Sequence, residues 1–387
     1  MPRRLAVLFA FVAATAASLH AGQPPDGAWP LVAARFAQRV QETGIVGASL
    51  LFVKDGTAMH QAVAGLQDRE TRRPVDRDTI FHWASITKTF TGVAIMQLRD
   101  RGLLSLDDPV VQYVPELREV HNPFGDIAQV KIRHLMSHSG GFRAGPWPWG
   151  GDQPWHPFEP TRWAQLVAMM PYTNLAFAPG TQYSYSNPGV VFLGRIIEAL
   201  SGEDYEVYVT KNILMPLGMT RTFFDRAPAF LRDHRSHSYG GRRDDIRERP
   251  FDFDSGITVS NGGLNAPLAD MAKYLTFLID GNATVLKQAS LLEMATPQVA
   301  AKDGEGGSGG DVRAGLSCFI ERHDGVELIG HSGDQNGFIS HLYVHRPSRS
   351  GYVVSFNTDV TAAAPSPLTT RAVDDDVRTA IMRAYWK

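Results

Sequence analysis

The sequence predicts an α+β fold: an antiparallel sheet built from N- and C-terminal strands, flanked by helices, and a helix-rich second lobe across a cleft. Three observations predict it. Hairpin patterns recur near both ends of the chain, helical spacing dominates the middle, and a final helical stretch closes the chain.

In order, residues 1–21 read as a secretory signal peptide: Arg3 and Arg4, an apolar run over 5–17, then small residues with possible cleavage after Ala17 or Ala21. The run is short for a membrane span. An uncleaved anchor is the alternative; no cysteine near the cleavage point offers a lipid site. Removal of this leader predicts an exported bacterial protein, periplasmic or secreted, without a membrane anchor. Residues 22–387 then form one domain of two lobes, the helical lobe spanning about 81–300.

The mature part opens with helical periodicity over 29–40. GASLLFV, a Lys54-Asp55-Gly56 turn and TAMHQAVAG form a first hairpin. Helical spacing follows at 87–101, 162–170, 188–200, 203–213 and 268–279. A second hairpin joins 316–322 to 326–329 across His323-Asp324-Gly325. A third joins 338–345 to 352–357, and 371–386 is the closing helix. Three stretches read as loops: a Trp-, Pro- and Gly-rich one at 143–160, a charged one at 233–250 and a Gly-rich one at 302–311. The first is either a substrate-facing rim or a locally packed loop. The second reads as solvated surface.

The formal net charge is -2 with the signs mixed along the chain, so no basic stripe points to nucleic acid. The single cysteine, Cys318, forms no internal disulfide and reads as a buried structural thiol.

The chemistry starts at Ser85-Ile86-Thr87-Lys88. Serine and lysine three apart share a helix face, and a serine in the first turn lies at the positive end of the helix dipole. A poorly hydrated lysine takes the serine proton. The pattern is weak alone. In PGTQYSYSNPG, Tyr185 is a candidate proton carrier and Asn187 an amide that steers the lysine or a substrate carbonyl; Asn187-Pro188-Gly189 is also plain turn chemistry. In GHSGDQNGF, Gly333 admits a close backbone approach, and the Asp334 N–H is placed to complete an oxyanion hole with that of Ser85. Another Gly-rich turn is the alternative there.

Together these motifs resemble the class C β-lactamase and penicillin-binding-protein-like serine hydrolase superfamily, in its broad β-lactamase-related branch. DTIFHWASITKTFTGVAIMQL is similar to the family's nucleophile segment. LLSLDDPVVQYVPEL, IRHLMSHSGGF, PGTQYSYSNPGVVFLGRIIEALSG and SNGGLNAPLADMAKYL follow in the family's order. The resemblance implies a β-lactamase/transpeptidase-like fold with the active site in the cleft and no cofactor. Ser85 would form the acyl-enzyme, Lys88 would activate it and share protons with Tyr185, and Asn187 would orient Lys88. His331, Ser332, Gly333 and Asp334 would line the substrate and oxyanion side. His331 stands where penicillin-recognising members carry a lysine in a Lys-Thr/Ser-Gly triplet. A histidine is only partly charged near neutral pH, so a carboxylate is held less well. The Asp334 carboxylate must turn away from an oxyanion hole.

The implied reaction is hydrolysis of a small-molecule or short-peptide ester or amide. β-Lactamase, D-aminopeptidase or D,D-peptidase activity are alternatives, as is a penicillin-binding sensor with little turnover. Gly306-Gly307-Ser308-Gly309-Gly310 matches G-x-S-x-G but lacks the strand and helix of a nucleophile elbow. His134 and His138 lack the glutamate of H-E-x-x-H and read as structural.

Overall fold

The computed structural model describes residues 27–142, 160–301, 311–362 and 368–387. The leader at 1–21, nearly all of the Trp-rich 143–160 stretch and Gly306–Gly310 lie outside the described residues. Ten α-helices are described: α1 Trp29–Thr43, α2 Thr87–Asp100, α3 Ile132–Met136, α4 Trp163–Met169, α5 Asn187–Ser201, α6 Tyr205–Val209, α7 Val259–Gly262, α8 Leu268–Asp280, α9 Gln288–Met294 and α10 Thr370–Ile381. The strands are β1 Gly47–Lys54, β2 Thr57–Asp68, β3 Arg73–Pro74, β4 Ile80–His82, β5 Phe223–Phe224, β6 Ser238–Arg242, β7 Asp245–Arg249, β8 Leu264–Pro267, β9 Val299–Ala301, β10 Asp311–Ala314, β11 Phe319–His323, β12 Val326–Gln335, β13 Phe338–His345, β14 Ser350–Phe356 and β15 Thr358–Thr361.

Nine strands form one antiparallel sheet in the order β3-β2-β1-β14-β13-β12-β11-β10-β9. Its centre pairs β1 with β14, so the two chain ends meet as the hairpin patterns predict. Strand alternation sends Ala48, Leu50 and Phe52 to one face, where α1 and α10 bury Val32, Phe36, Val40, Val373, Val377 and Ile381 against them. Leu51 and Val53 face the other way into the larger core shared with α2, α5 and α8. Gly44 ends α1 in the left-handed conformation, φ 82°. The sheet is thus a middle layer. α1 and α10 back it, and the helical lobe covers its front.

Two expectations need correction. The charged 233–250 stretch is not simply loop: β6 and β7 form a hairpin whose inner strand pairs in parallel with β15. Tyr239 is its buried anchor, while β7 is largely exposed, so charge hid the strand pattern. The second terminal hairpin begins at Phe319, not at 316. Ser317 takes a left-handed φ of 59° and donates its N–H to the Met136 carbonyl at 2.7 Å, so 316–318 turns toward the helical lobe instead of pairing. Its partner strand, β12, runs on beyond 329 to Gln335. Cys318 is pushed up to about 12 by burial, with Sγ 3.2 Å from the Met294 carbonyl.

Behind the sheet, His341 on β13 pairs with Asp374 on α10, and Glu321 and Arg378 stand nearby. Burial lowers the His341 pKa, but the Asp374 carboxylate outweighs it and the net value is raised. A raised histidine contributes stability in full below its unfolded-state value and loses it as pH rises through the folded one. Asp374→Asn is therefore expected to cost about 3 kcal/mol near pH 6 and to flatten the fall in stability above that pH. Urea unfolding across pH 5–9 measures both, and an unchanged pH profile would contradict the pairing.

Candidate active site

Ser85 lies in a short 3-10 turn, Ala84–Ile86, that runs directly into α2. The Trp83 N–H donates to the Leu264 carbonyl and its indole N–H to the Ala266 carbonyl, both at 2.9 Å, which pins the turn to β8. Ala84 holds φ 47°, a conformation that costs a residue with a Cβ and persists only under such constraint. The N-terminal end of a helix presents N–H groups without intrahelical partners, so the local sequence sets Ser85 at a donor-rich end.

One turn on, Lys88 is 0% exposed, enclosed because α2 is buried from Thr87 through Leu98. Its Nζ stands 2.9 Å from Ser85 Oγ and 2.7 Å from the Asn261 carbonyl on α7. Asn261 is one residue that sequence reasoning missed. A backbone acceptor leaves no side-chain signature; only the short Gly-rich run Ser260-Asn261-Gly262-Gly263 hints that a backbone comes close there.

Tyr185 approaches from the helical lobe, its ring centroid 5.0 Å from Lys88 Nζ. The Ser186 side chain caps α5 by accepting from the Gly189 N–H at 3.1 Å, and the helix starts at Asn187. Turn chemistry and site chemistry thus coincide in Tyr185-Ser186-Asn187. His138 positions this segment. Its ring stacks on Tyr185 at 4.4 Å, and its Nδ1 accepts the Ser186 N–H at 3.1 Å. Burial, then the Lys88 charge, holds His138 well below the ordinary histidine range, which keeps that lone pair available. His134 Nδ1 accepts the Lys131 N–H at 3.2 Å. Among the described residues, no group of three or more His, Cys, Asp and Glu is placed to hold a metal.

The sheet supplies the opposite wall through β12. His331 is 1% exposed, with its ring 5.0 Å from Phe319 and 6.2 Å from Tyr185. Burial and then Lys88 lower its pKa to about 3, so the expected partial charge is absent and the ring is neutral. Nδ1–H donates to the Ser332 carbonyl at 2.6 Å, which leaves Nε2 as a buried acceptor. Ser332 pairs across the ladder with His341, whose side chain meets α10; strand alternation therefore turns the Ser332 side chain away from the cleft, contrary to expectation. The Asp334 carboxylate turns the same way and pairs with Arg371 at the start of α10, which removes the expected conflict with an oxyanion. Gly333 does admit a close backbone approach, but the backbone is the chain's own. A Cβ there would lie 2.3 Å from the Trp83 carbonyl oxygen and 2.4 Å from Ser340 Oγ. Gly333→Ala is expected to force the Trp83–Ser85 turn off β12 and destabilise the protein by about 1–3 kcal/mol, read by urea unfolding. An unchanged midpoint would show that this contact does not constrain the turn.

Comparison with known proteins identifies the fold and family. The family model described as Beta-lactamase matches residues 32–375. Esterase EstB of Burkholderia gladioli is 32% identical over 196 residues, 48% of this chain and 48% of that protein. The chain spans about half the length of the first curated relatives it matches. The octameric penicillin-binding protein homologue from Pyrococcus abyssi superposes with a TM-score of 0.74 at 28% identity, covering 85% of this chain and 73% of that one. The D-amino acid amidase from Ochrobactrum anthropi SV3 complexed with D-phenylalanine gives a TM-score of 0.74 at 23% identity, over 92% and 99%, a likeness of fold. The fold is β-lactamase/transpeptidase-like, and the chain belongs to the Beta-lactamase family.

Proposed function

We propose that this protein is an exported serine hydrolase that cleaves an ester or amide through an acyl-enzyme on Ser85. The observation that carries the reading is the contact of a buried Lys88 with Ser85: a lysine with 0% exposure, its amine 2.9 Å from the hydroxyl it would deprotonate. A desolvated lysine beside a serine is the condition under which lysine serves as the base. Residues 22–387 act as one domain in this reading, after loss of the leader at 1–21.

Ser85 Oγ bonds to the substrate carbonyl carbon as its proton passes to Lys88. The N–H groups of Ser85 and Asp334 hold the oxyanion. Lys88 and Tyr185 return a proton to the leaving alkoxide or amine as its bond to carbon breaks. Water then adds to the acyl carbon and releases Ser85, its proton leaving by the same pair. Asn187 lines the substrate side at the start of α5.

Substrate choice rests on His331. A neutral ring with an acceptor at Nε2 gives a substrate carboxylate no cation at the position where a β-lactam carboxylate would meet one. This favours esters and neutral amides over β-lactams. Steady-state hydrolysis of p-nitrophenyl acetate, a D-alanyl amide and a cephalosporin tests it. The ester or amide is expected to lead, and Ser85→Ala to lower kcat by about 10⁴-fold or more. Activity retained in that variant would overturn the nucleophile assignment, and a preference for the cephalosporin would overturn the substrate class.

A further inference from the structure

The two N–H groups that receive the oxyanion in this reading sit on separate elements: Ser85 on the turn after β4, and Asp334 on β12. Their spacing is a tertiary quantity, and a buried side-chain bridge spans it. His82, three residues before Ser85, is 0% exposed. Its Nε2 lies 3.0 Å from the side-chain Oε1 of Gln335, the residue immediately after Asp334. Its Nδ1 lies 2.9 Å from Asn265 Oδ1 on β8.

The donors along this chain follow from its ends. Asn265 commits both amide hydrogens, to the Asp225 and Gly263 carbonyls, each at 3.0 Å, so its Oδ1 must accept. His82 Nδ1 therefore carries the proton. Burial, then the Arg235 charge, lowers the His82 pKa to about 4, so the ring is neutral and holds only that one proton. Nε2 then accepts, and the Gln335 amide, whose two ends share one shape, turns its N–H toward it. Phe253 and Phe338, with ring centroids 5.4 Å and 5.7 Å from His82, wall the ring in. A second tie runs beside it: Ser340 Oγ donates to the Trp83 carbonyl at 3.2 Å, across from Gly333.

We propose that His82 and Gln335 are positioning residues that set the spacing between the Ser85 and Asp334 N–H groups, His82 receiving the Gln335 amide at Nε2 while donating from Nδ1 to Asn265. Neither side chain touches the reacting atoms; each acts through the backbone it holds. The inference rests on the acyl-enzyme reading above.

The test compares an oxoester with its thionoester, in which sulfur replaces the carbonyl oxygen and meets oxyanion donors poorly. Gln335→Met removes the amide and keeps the bulk; Gln335→Ala serves if the first does not fold. The expected result is a fall in kcat for the oxoester of about 10-fold or more, with KM within about 2-fold, and a shrunken oxo-to-thiono rate ratio. A purely structural loss would lower both rates together and leave that ratio unchanged, which would overturn the proposal. Wild-type enzyme is first checked for turnover lost in Ser85→Ala. Failure there overturns the underlying reading, whereas turnover with an unchanged ratio overturns only this inference.

Discussion

A buried lysine amine, held between a serine hydroxyl and a backbone carbonyl, is the constraint on which this structure turns. Lys88 reaches that state because α2 is buried along nearly its whole length, and because α7 brings the Asn261 carbonyl to 2.7 Å from Nζ. Buried amines without partners are costly. The helical lobe must therefore close around Lys88 while leaving Ser85 at the lip of the cleft. The strained Ala84 and the Trp83 bonds to β8 are what hold the turn there.

The sheet completes the arrangement from the other side. β12 approaches the Ser85 turn so closely that only a glycine fits at 333, opposite the Trp83 carbonyl. Period-two alternation then divides the rest of the strand: His331 and Gln335 look toward the helical lobe, while Ser332 and Asp334 look toward α10. One strand thus turns a neutral histidine toward Tyr185, sends an amide to the buried His82 and keeps a carboxylate on the far face. Histidines recur here as neutral hydrogen-bonding parts. His82, His138 and His331 all have lowered pKa values, with burial the leading cause.

Much of this was legible in the sequence because local patterns and tertiary needs agree. The apolar run GASLLFV and the strand pattern at 338–345 survive as the two-sided centre of the sheet, and the spacing after Ser85 survives as α2. The Ser85 and Lys88 side chains lie 2.9 Å apart, on one face as three-residue spacing requires, whereas the approach of the Tyr185 ring to 5.0 Å from Lys88 Nζ is tertiary and no spacing gives it. What stayed hidden depends on partners far along the chain. The Asn261 contribution is a carbonyl. His138 works through a backbone N–H and a stacked ring, and His82 only through residues on β8 and β12. The charge of His331 was misjudged because burial, not residue type, sets it. The β6–β7 hairpin was missed because its outer strand faces solvent and carries no apolar alternation.

The central claim is that Lys88 makes Ser85 a nucleophile, and intact mass after incubation with a fluorophosphonate tests it most directly. The account predicts one stoichiometric adduct on the wild-type protein, greatly slowed in Lys88→Met and absent in Ser85→Ala. No adduct on folded wild-type protein, or an adduct that persists in Ser85→Ala, would contradict it.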